Sequence, residues 1–411
     1  MITKRKFSKT ELALFFLIGL IPFSFALNPT LTIDLALIRI LIPIFFLSWL
    51  FSSLFKKRLI IDSRFRAWLL IFIFLLAICS LFWAPNSSKA WRKILFLGSI
   101  FPFYWIIFPF LKKKTNLNLV LKIIFGTAFV SALIGLFQFF SQFIFGIDTV
   151  FQVQAHLTPL FLGKNFSKVV LEYNSWLVNI NGKTVFRALG LFPDPHLFSL
   201  FLNLSIPIGF YLFSKNKQFF SLIGTLIILL SSLLTFSRAG YLSLILAFAF
   251  FWLFHLNKKS FWNILLILIF SLFLLIPNPI NQRFFSIFNF QDGSVSERLI
   301  LWKTGLKVTQ NNFWTGVGIG NLSEELRPLS NQRIPIYAHN LFLDFSTELG
   351  FFGGLAIFLI IISPIMAFFR QSTPQKNLIA TIFIIILTNS MFETPFYSVQ
   401  ILPLILILLA I

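Results

Sequence analysis

Long apolar runs separated by short polar turns fill most of the chain. A helix that crosses a bilayer needs about 20 mostly apolar residues, and runs of this length recur throughout the 411-residue sequence. About twelve stretches meet this criterion. They lie near residues 11–27, 34–55, 67–84, 94–111, 119–146, 195–213, 218–236, 239–256, 260–276, 340–369, 376–392 and 396–411. The pattern predicts an all-α, polytopic integral membrane protein in which residues 1–411 form a single membrane domain.

Two long polar stretches interrupt the apolar pattern. Residues 147–194 form a first long loop, and residues 277–339 form a larger loop that we expect to carry short helices. In the first loop, residues 178–185 alternate around Asn181-Gly182, which predicts a β-hairpin. In the second, Ser294-Val295-Ser296-Glu297 matches the capping-box pattern that starts a helix. Such a helix would either lie on the membrane surface or pack on the helix bundle.

Three glycines, Gly316, Gly318 and Gly320, follow in the same loop. Their spacing and context differ from those of a dinucleotide-binding fingerprint. Glycine most often serves a backbone conformation that a turn requires. We therefore favour a turn at these glycines over a close approach of the backbone to a ligand.

The distribution of charge decides which class of partner to expect. Only 11% of the residues are charged, against about a quarter in an ordinary soluble domain. The net charge of +21 would suggest nucleic acid on a soluble protein, but here the basic residues gather in alternate turns, as the positive-inside rule requires. These turns contain Lys56–Arg58, Lys112–Lys114, Lys215–Lys217 and Lys258–Lys259.

This distribution predicts a multi-pass protein of the cytoplasmic membrane with both termini in the cytoplasm. Both long loops then lie outside, and no nucleic-acid partner is expected. The turn at Lys89, Arg92 and Lys93 falls outside by this count and fits the rule poorly. Basic residues in the long outer loops do not contradict the topology, because long loops escape the rule. They favour an anionic ligand, whose phosphates match arginine forks, over contact with anionic lipid headgroups.

His339 lies where the large outer loop returns to the membrane. It precedes Asn340 at the head of an apolar run, with Asp344 and Glu348 one to two helical turns further on. A neutral imidazole can accept a proton near physiological pH, which makes His339 a candidate general base. The alternative is a histidine that only caps the helix.

Arginine is the second candidate for chemistry. Arg238 stands alone between two apolar runs, where a charge close to hydrocarbon is expensive and suggests a functional site. The alternative is an arginine that extends to the headgroups; the very short, otherwise uncharged turn favours function. Arg187 at the edge of a span allows the same interpretation, and Arg283 and Arg298 in the loop could reach the same place.

Metal ligands are scarce in the sequence. It contains no Asp-x-Asp pair, and Cys79 is its single cysteine. Carboxylates usually hold the metal in a metal-bridged diphosphate site, so guanidinium groups would have to stabilise a leaving diphosphate here. We expect neither a metal site nor a cofactor site.

Several short blocks, in this order and spacing, resemble the O-antigen ligase and O-antigen polymerase superfamily of membrane glycosyltransferases. The resemblance covers about residues 185–395. The blocks are Arg187-x-x-Gly190 with Phe192-Pro193, Ser237-Arg238-Ala239-Gly240, Arg283, Ser296-x-Arg298-x-x-x-Trp302, Gly316-x-Gly318-x-Gly320, and His339-Asn340 with Glu348-Leu349-Gly350 and Gly353. Each block alone is weak, whereas the set in one polytopic chain is specific.

The resemblance implies an enzyme that moves a glycan from undecaprenyl diphosphate to an acceptor hydroxyl on the outer face, without metal and with inversion of the anomeric carbon. It implies that His339 is the general base. The expected substrate-binding residues are Arg238, Arg298, Arg187, Arg283, Asn340 and Glu348. The implied partners are the undecaprenyl-diphosphate-linked glycan, a glycan or lipid acceptor and the membrane lipids.

Three alternatives stay open at this point. A repeat-unit polysaccharide polymerase of the same superfamily would share all of these blocks. A lipid-linked glycan transporter would place charges near the midplane of several spans, whereas most charges here lie at the membrane edges. A scaffold protein would not need several arginines around one histidine.

Overall fold

A computed structural model of the protein describes residues 7–30, 33–57, 62–172, 175–180, 182–254, 278–286, 293–326 and 336–411. Helices dominate the amino-terminal half of the chain. They are α1 (Lys9–Leu20), α2 (Ile38–Phe55), α3 (Phe65–Cys79), α4 (Ser87–Ile100), α5 (Phe103–Leu111), α6 (Lys114–Phe145), α7 (Ile147–Leu162) and α8 (Lys164–Glu172). Short 3₁₀ turns follow α1 at Ile21–Phe23 and α3 at Ser80–Phe82.

The carboxy-terminal half continues the helical architecture. Its helices are α9 (Pro195–Asn216), α10 (Phe219–Leu233), α11 (Arg238–Phe254), α12 (Pro279–Phe285), α13 (Gly293–Asn311), α14 (Leu322–Leu326), α15 (Leu341–Arg370), α16 (Pro374–Ser390) and α17 (Leu402–Ala410). A 3₁₀ turn at Pro395–Tyr397 connects the last two of these helices. Every predicted span overlaps a helix except 260–276, which lies outside the described residues.

The helices have the length and composition of membrane spans. Among the described residues, six helical segments have an apolar stretch long enough to cross a bilayer. They are Ile38–Phe55, Phe65–Phe82, Ser87–Leu111, Lys114–Phe145, Pro195–Lys215 and Leu341–Arg370. The protein is therefore an all-α, multi-pass membrane protein, while the count of twelve spans stays a prediction. The predicted span at 94–111 divides into α4 and α5 at Phe101-Pro102, because proline interrupts the helical hydrogen-bond ladder.

Two small hairpins accompany the helices. β1 (Ala26–Leu27) pairs with β2 (Leu35–Ala36), and β3 (Leu177–Ile180) pairs with β4 (Lys183–Phe186), both antiparallel. The second pair confirms the hairpin predicted at residues 178–185. Gly182 in its turn has φ 79°, a value that glycine adopts without a steric penalty.

The predicted capping-box segment coincides with the start of α13, which begins at Gly293. This helix packs on α15, where Leu301 and the partly buried Trp302 share a small core with Leu343. Leu299 and Leu306, on the same helix, stay largely exposed. Of the two alternatives for this helix, packing on the bundle is therefore the one that the contacts support.

α15 is broken near its start, at Gly350, where φ is 71° and ψ is −171°. The break frees backbone carbonyls that a regular helix would have satisfied. The N–H groups of Val317 and Gly318 donate to the carbonyls of Thr347 and Glu348. Gly316, Gly318 and Gly320 all have positive φ, so the glycine segment forms the turn favoured above and lies against the break.

Candidate active site

The peptide of Ala338 is held from both sides at the point where the outer loop meets α15. Its N–H donates to Asp344 Oδ1 at 2.7 Å, and its carbonyl accepts a hydrogen bond from the Trp302 indole at 3.0 Å. The next residue, His339, has φ 52°, which is uncommon for a residue other than glycine. These contacts fix the backbone that presents the His339 side chain.

Asn340, not His339, caps the helix. Its side chain accepts a hydrogen bond from the N–H of Leu343 at 3.1 Å, as an N-cap asparagine normally does. The helix-capping alternative for His339 therefore loses its basis. Asn340 sets the start of α15 and leaves the imidazole available for other contacts.

Glu393 connects His339 with Arg298. His339 Nδ1 lies 3.1 Å from Glu393 Oε2, and Arg298 Nη2 donates to Glu393 Oε1 at 2.7 Å. An ionised carboxylate only accepts hydrogen bonds. The ring nitrogen that faces Glu393, Nδ1, therefore carries the proton. The other nitrogen, Nε2, then has a free lone pair in the neutral tautomer. We call these three residues the His–Glu–Arg triad.

The triad changes the pKa values of its members. Burial disfavours the charged imidazole, but the Glu393 carboxylate and its hydrogen bond outweigh burial and raise the pKa of His339. Burial acts against the Glu393 carboxylate, but the charges of His339 and Arg298 hold the pKa of Glu393 well below its ordinary range. The pair therefore favours proton uptake by His339 while Glu393 remains ionised.

Asp344 positions both halves of the His339–Glu393 pair. It accepts the Ala338 N–H through one oxygen and the Thr394 hydroxyl through the other. Ala338 precedes His339, and Thr394 follows Glu393. Asp344 is fully buried. One buried carboxylate therefore ties together the two chain segments that carry the pair.

His339 and Glu393 open into a cavity of about 550 Å³. Asp194 and His196 line the same cavity, and Arg39 of α2 reaches it from another helix. The side chain of His339 is 34% exposed, so a ligand in the cavity can reach it. The volume falls within the range of small-molecule sites.

His196 is a second histidine at this cavity. Its Nδ1 lies 3.1 Å from the Ser237 hydroxyl. Asp194 does not touch its ring; it caps α9 and accepts the N–H groups of His196 and Leu197 at 2.8 and 2.9 Å. Burial, reinforced by the charge of Glu393, raises the pKa of Asp194 to about 6. His196 therefore lacks the carboxylate contact that distinguishes His339.

Three arginines surround the turn between α10 and α11. Arg187 donates to the carbonyl of Thr235 at 2.6 Å, and Arg283 donates to the carbonyl of Phe236 at 3.5 Å. Arg238 donates to the carbonyl of Ser286, which follows α12, at 3.2 Å. We call Arg187, Arg238 and Arg283 the arginine cluster. The structure thus brings together residues separated by long stretches of sequence.

Arg187 is the most deeply placed of the cluster. It is 3% exposed, and its Nη2 has no hydrogen-bond partner within the described part of the chain. Burial and the nearby charge of Arg283 lower the pKa of Arg187 to about 9, so it stays charged at neutral pH. An unpaired buried donor beside like charges is costly, and an anion would satisfy it.

Glu348 lies apart from the triad. Its Oε1 forms an ion pair with Lys93 at 2.6 Å, and its Oε2 accepts from the Tyr397 hydroxyl at 3.0 Å. The Lys93 ammonium also lies 3.9 Å from the centre of the Tyr397 ring. Both oxygens of Glu348 are thus engaged by the protein, and the residue links α4 with α15.

Glu393 is the functional residue that sequence reasoning did not select. It lies 54 residues after His339, beyond two intervening helices, α15 and α16. Its one signal in the sequence is that an acid stands alone between two apolar runs. Among the described residues, His, Cys, Asp and Glu side chains form no group of three or more that could hold a metal ion.

Part of the chain matches a known protein family. Residues 223–359 match the family described as O-antigen ligase, which confirms the resemblance for that region. Arg238, Arg283, Arg298 and His339 lie inside the matched residues, whereas Arg187 and Glu393 lie outside them. No curated protein matches the chain.

Proposed function

We propose that the protein is a membrane glycosyltransferase that moves a glycan from undecaprenyl diphosphate to an acceptor hydroxyl on the outer face of the cytoplasmic membrane. The observation that carries the proposal is the His–Glu–Arg triad, with its histidine exposed to a cavity. The O-antigen ligase match supports a lipid-linked glycan as substrate. The arginine cluster and Arg298 of the triad supply positive charge of the kind that a diphosphate requires.

In the proposed reaction, the acceptor hydroxyl transfers its proton to Nε2 of His339. Its oxygen forms a new bond to the anomeric carbon, while the bond from that carbon to the diphosphate oxygen breaks. Undecaprenyl diphosphate leaves with the electron pair, and the anomeric carbon is inverted. Glu393 keeps the ring in the correct tautomer and stabilises the imidazolium that forms, as a carboxylate does for a catalytic histidine.

The leaving diphosphate needs positive charge that is already in place. We assign this role to the arginine cluster, in which Arg187 has an unsatisfied buried nitrogen. Arg298 donates to Glu393 through Nη2, and its other guanidinium nitrogens would donate to the diphosphate. Asn340 accepts the N–H of Leu343, and Glu348 accepts the hydroxyl of Tyr397. We therefore assign both residues to holding the site in shape rather than to direct contact with the substrate. The reaction as proposed needs no metal ion.

A ligase and a polymerase differ only in the acceptor, so the same triad would serve a repeat-unit polymerase. The ligase assignment follows the description of the matching family. A transporter of lipid-linked glycan would use the same lipid but form no new glycosidic bond. The acceptor and the product therefore decide between these functions.

The test is transfer in vitro by the purified protein, with a synthetic undecaprenyl-diphosphate-linked oligosaccharide and a panel of glycolipid and glycan acceptors. We expect a new glycosidic bond of inverted configuration, unaffected by excess EDTA. His339→Ala should lower the rate about 100- to 10,000-fold, the usual contribution of a positioned base. His156→Ala, a change in α7 outside the residues that line the cavity, is the matched control.

Each part of the proposal can fail separately. Transport of the lipid-linked glycan without bond formation would replace the enzyme by a transporter. Inhibition by EDTA with recovery on addition of magnesium or manganese would overturn the metal-independent step. If His339→Ala kept wild-type activity, His196 would become the next candidate base.

A further inference from the structure

Arg39 reaches the active-site cavity from the first turn of α2. Its Nε donates to the Ser99 hydroxyl at 3.1 Å, and its guanidinium carbon lies 5.1 Å from the centre of the Phe96 ring. Both contacts are to α4 and leave Nη1 and Nη2 without a hydrogen-bond partner in the part of the chain that the structure describes. A half-buried arginine at the edge of an apolar span, with no carboxylate partner among the described residues, is a candidate for a functional contact.

No carboxylate among the described residues forms an ion pair with Arg39. The nearest acid along the chain, Asp34, is committed to the start of α8: it accepts the N–H of Phe166 at 2.6 Å and the side-chain amide of Asn165 at 3.2 Å. Three other carboxylates line the cavity. Asp194 accepts the backbone N–H of His196 and Glu393 contacts His339, and Glu297 forms no ion pair with Arg39 in the part of the chain that the structure describes. Among the described residues that line the cavity, Arg39 is the one arginine and none is a lysine.

Arg39 and the arginine cluster adjoin different parts of the site. Phe96, beneath Arg39, lies 6.4 Å from Tyr397 between ring centres, and Tyr397 stacks on Tyr337, two residues before His339. The arginine cluster instead surrounds the turn that carries Ser237, the partner of His196. In an inverting transfer, the acceptor and the leaving group lie on opposite sides of the reacting carbon, so the two cationic regions suit different substrates.

We infer that the Arg39 end of the cavity binds an anionic oxygen group, a carboxylate or a phosphate, on the acceptor glycan. This inference rests on the proposed function and adds the class of acceptor: a sugar with a negative substituent near the hydroxyl that reacts. Arg39 would then determine acceptor specificity and would not take part in the chemical step. The diphosphate of the donor stays with the arginine cluster.

A binding experiment without turnover tests the inference separately from catalysis. The full-length protein in nanodiscs of neutral phosphatidylcholine is titrated with octyl glucoside, octyl glucuronide and octyl glucoside 6-phosphate, all below their micellar concentrations. Farnesyl diphosphate serves as the probe for the donor side. The variants are Arg39→Gln, Arg39→Lys and Arg238→Gln, with Arg92→Gln as the matched control, because Arg92 is an exposed arginine of α4 outside the cavity.

We expect the wild type to bind at least one anionic glycoside about 10-fold or more tightly than octyl glucoside, the usual strength of a hydrogen-bonded charge. Arg39→Gln should remove this preference and leave farnesyl diphosphate binding unchanged, whereas Arg238→Gln should do the reverse. Arg92→Gln should match the wild type. Arg39→Lys, which keeps the charge, should retain part of the preference and provides a folded variant if the glutamine variant is unstable.

Two kinds of result would overturn the inference. One is a wild type without preference for either anionic glycoside, or a preference that survives in Arg39→Gln. The other is a loss of farnesyl diphosphate binding in Arg39→Gln, which would move Arg39 to the donor side. Failure of glycan transfer in the separate activity assay would instead count against the proposed function.

Discussion

At the scale of single residues, the chemistry depends on what holds His339 rather than on the histidine alone. The Ala338 peptide is clamped by Asp344 and Trp302, and the ring is oriented by Glu393. A second histidine, His196, lines the same cavity but contacts only a serine hydroxyl through its ring. The carboxylate contact is therefore the feature that separates a candidate base from a neighbouring histidine.

The pH dependence of transfer follows from this contact. Glu393 raises the pKa of His339, and a general base acts only when neutral, so activity should rise with pH through a pKa above the ordinary value for histidine. In Glu393→Gln the stabilising charge is gone, burial lowers the pKa, and the rising limb should move to lower pH. The maximal rate should also fall, by about 100- to 10,000-fold. A pH–rate profile of both proteins measures this, and an unmoved limb would show that Glu393 does not act on the base.

Arg238 provides a second test at this scale. Its Nη1 donates to the backbone of Ser286, so a planar, forked cation links α11 to the segment after α12. We expect Arg238→Ala to lose on the order of 100-fold or more in rate, because an electrostatic stabiliser of the leaving group disappears. Arg238→Lys should recover only part, since lysine keeps the charge but not the fork. Wild-type turnover in Arg238→Ala, at equal membrane expression, would reduce this residue to a structural contact between α11 and the segment after α12.

The sequence alone indicated the histidine and the arginines but not their partners. His339 and Arg238 stand out because charge or an ionisable ring is rare in so apolar a chain. Glu393 and Arg298, by contrast, are 95 residues apart, and only the packing of the helices between them brings them into contact. Pairings across such distances leave no mark in local periodicity.

At the scale of elements, the glycine turn and the broken helix form one unit. The turn at Gly316–Gly320 donates to carbonyls beside the break at Gly350, and the N–H of Phe351 donates to the carbonyl of Phe313. In a membrane, backbone groups outside regular helix must find partners within the protein. The break is therefore tolerated because the turn satisfies it. The glycine spacing indicates the turn but not its partner, because the apolar pattern continues unchanged through Gly350.

Because the turn packs against the break, a methyl group added at Gly316 should destabilise the protein more than one added at a glycine elsewhere. In Gly316→Ala the new Cβ would meet the Glu348 backbone at a positive φ, which costs at least about 1–2 kcal/mol for a residue with a side chain. We expect a lower melting temperature of the purified protein and reduced transfer. Gly126→Ala in α6 is the matched control, because its Cβ would meet nothing within 4 Å. Equal melting temperatures for the two variants would argue against the role of the turn.

At the scale of the whole molecule, two lysines of the turn that fits the positive-inside rule poorly form ion pairs with acids from distant parts of the chain. Lys89 pairs with Glu324 of α14 at 2.7 Å, and Lys93 pairs with Glu348 of α15 at 2.6 Å. Both carboxylates belong to the segments around the large outer loop. Two of the three basic residues of this turn are thus paired within the protein, whereas Arg92 is exposed.

The topology can be measured directly by labelling single cysteines in a Cys79→Ser background. The exposed lysines Lys183 and Lys303 lie in the two long loops. Lys56 directly follows α2, and Lys114 is the first residue of α6, at the end of the basic run 112–114. If the basic turns face the cytoplasm, as the rule requires, an impermeant thiol reagent should label positions 183 and 303 in intact cells. Positions 56 and 114 should react only after the membrane is permeabilised. Reaction of position 303 only after permeabilisation would place α13 and the His–Glu–Arg triad on the cytoplasmic side. The proposed transfer on the outer face would then be wrong, even if every contact within the site were correct.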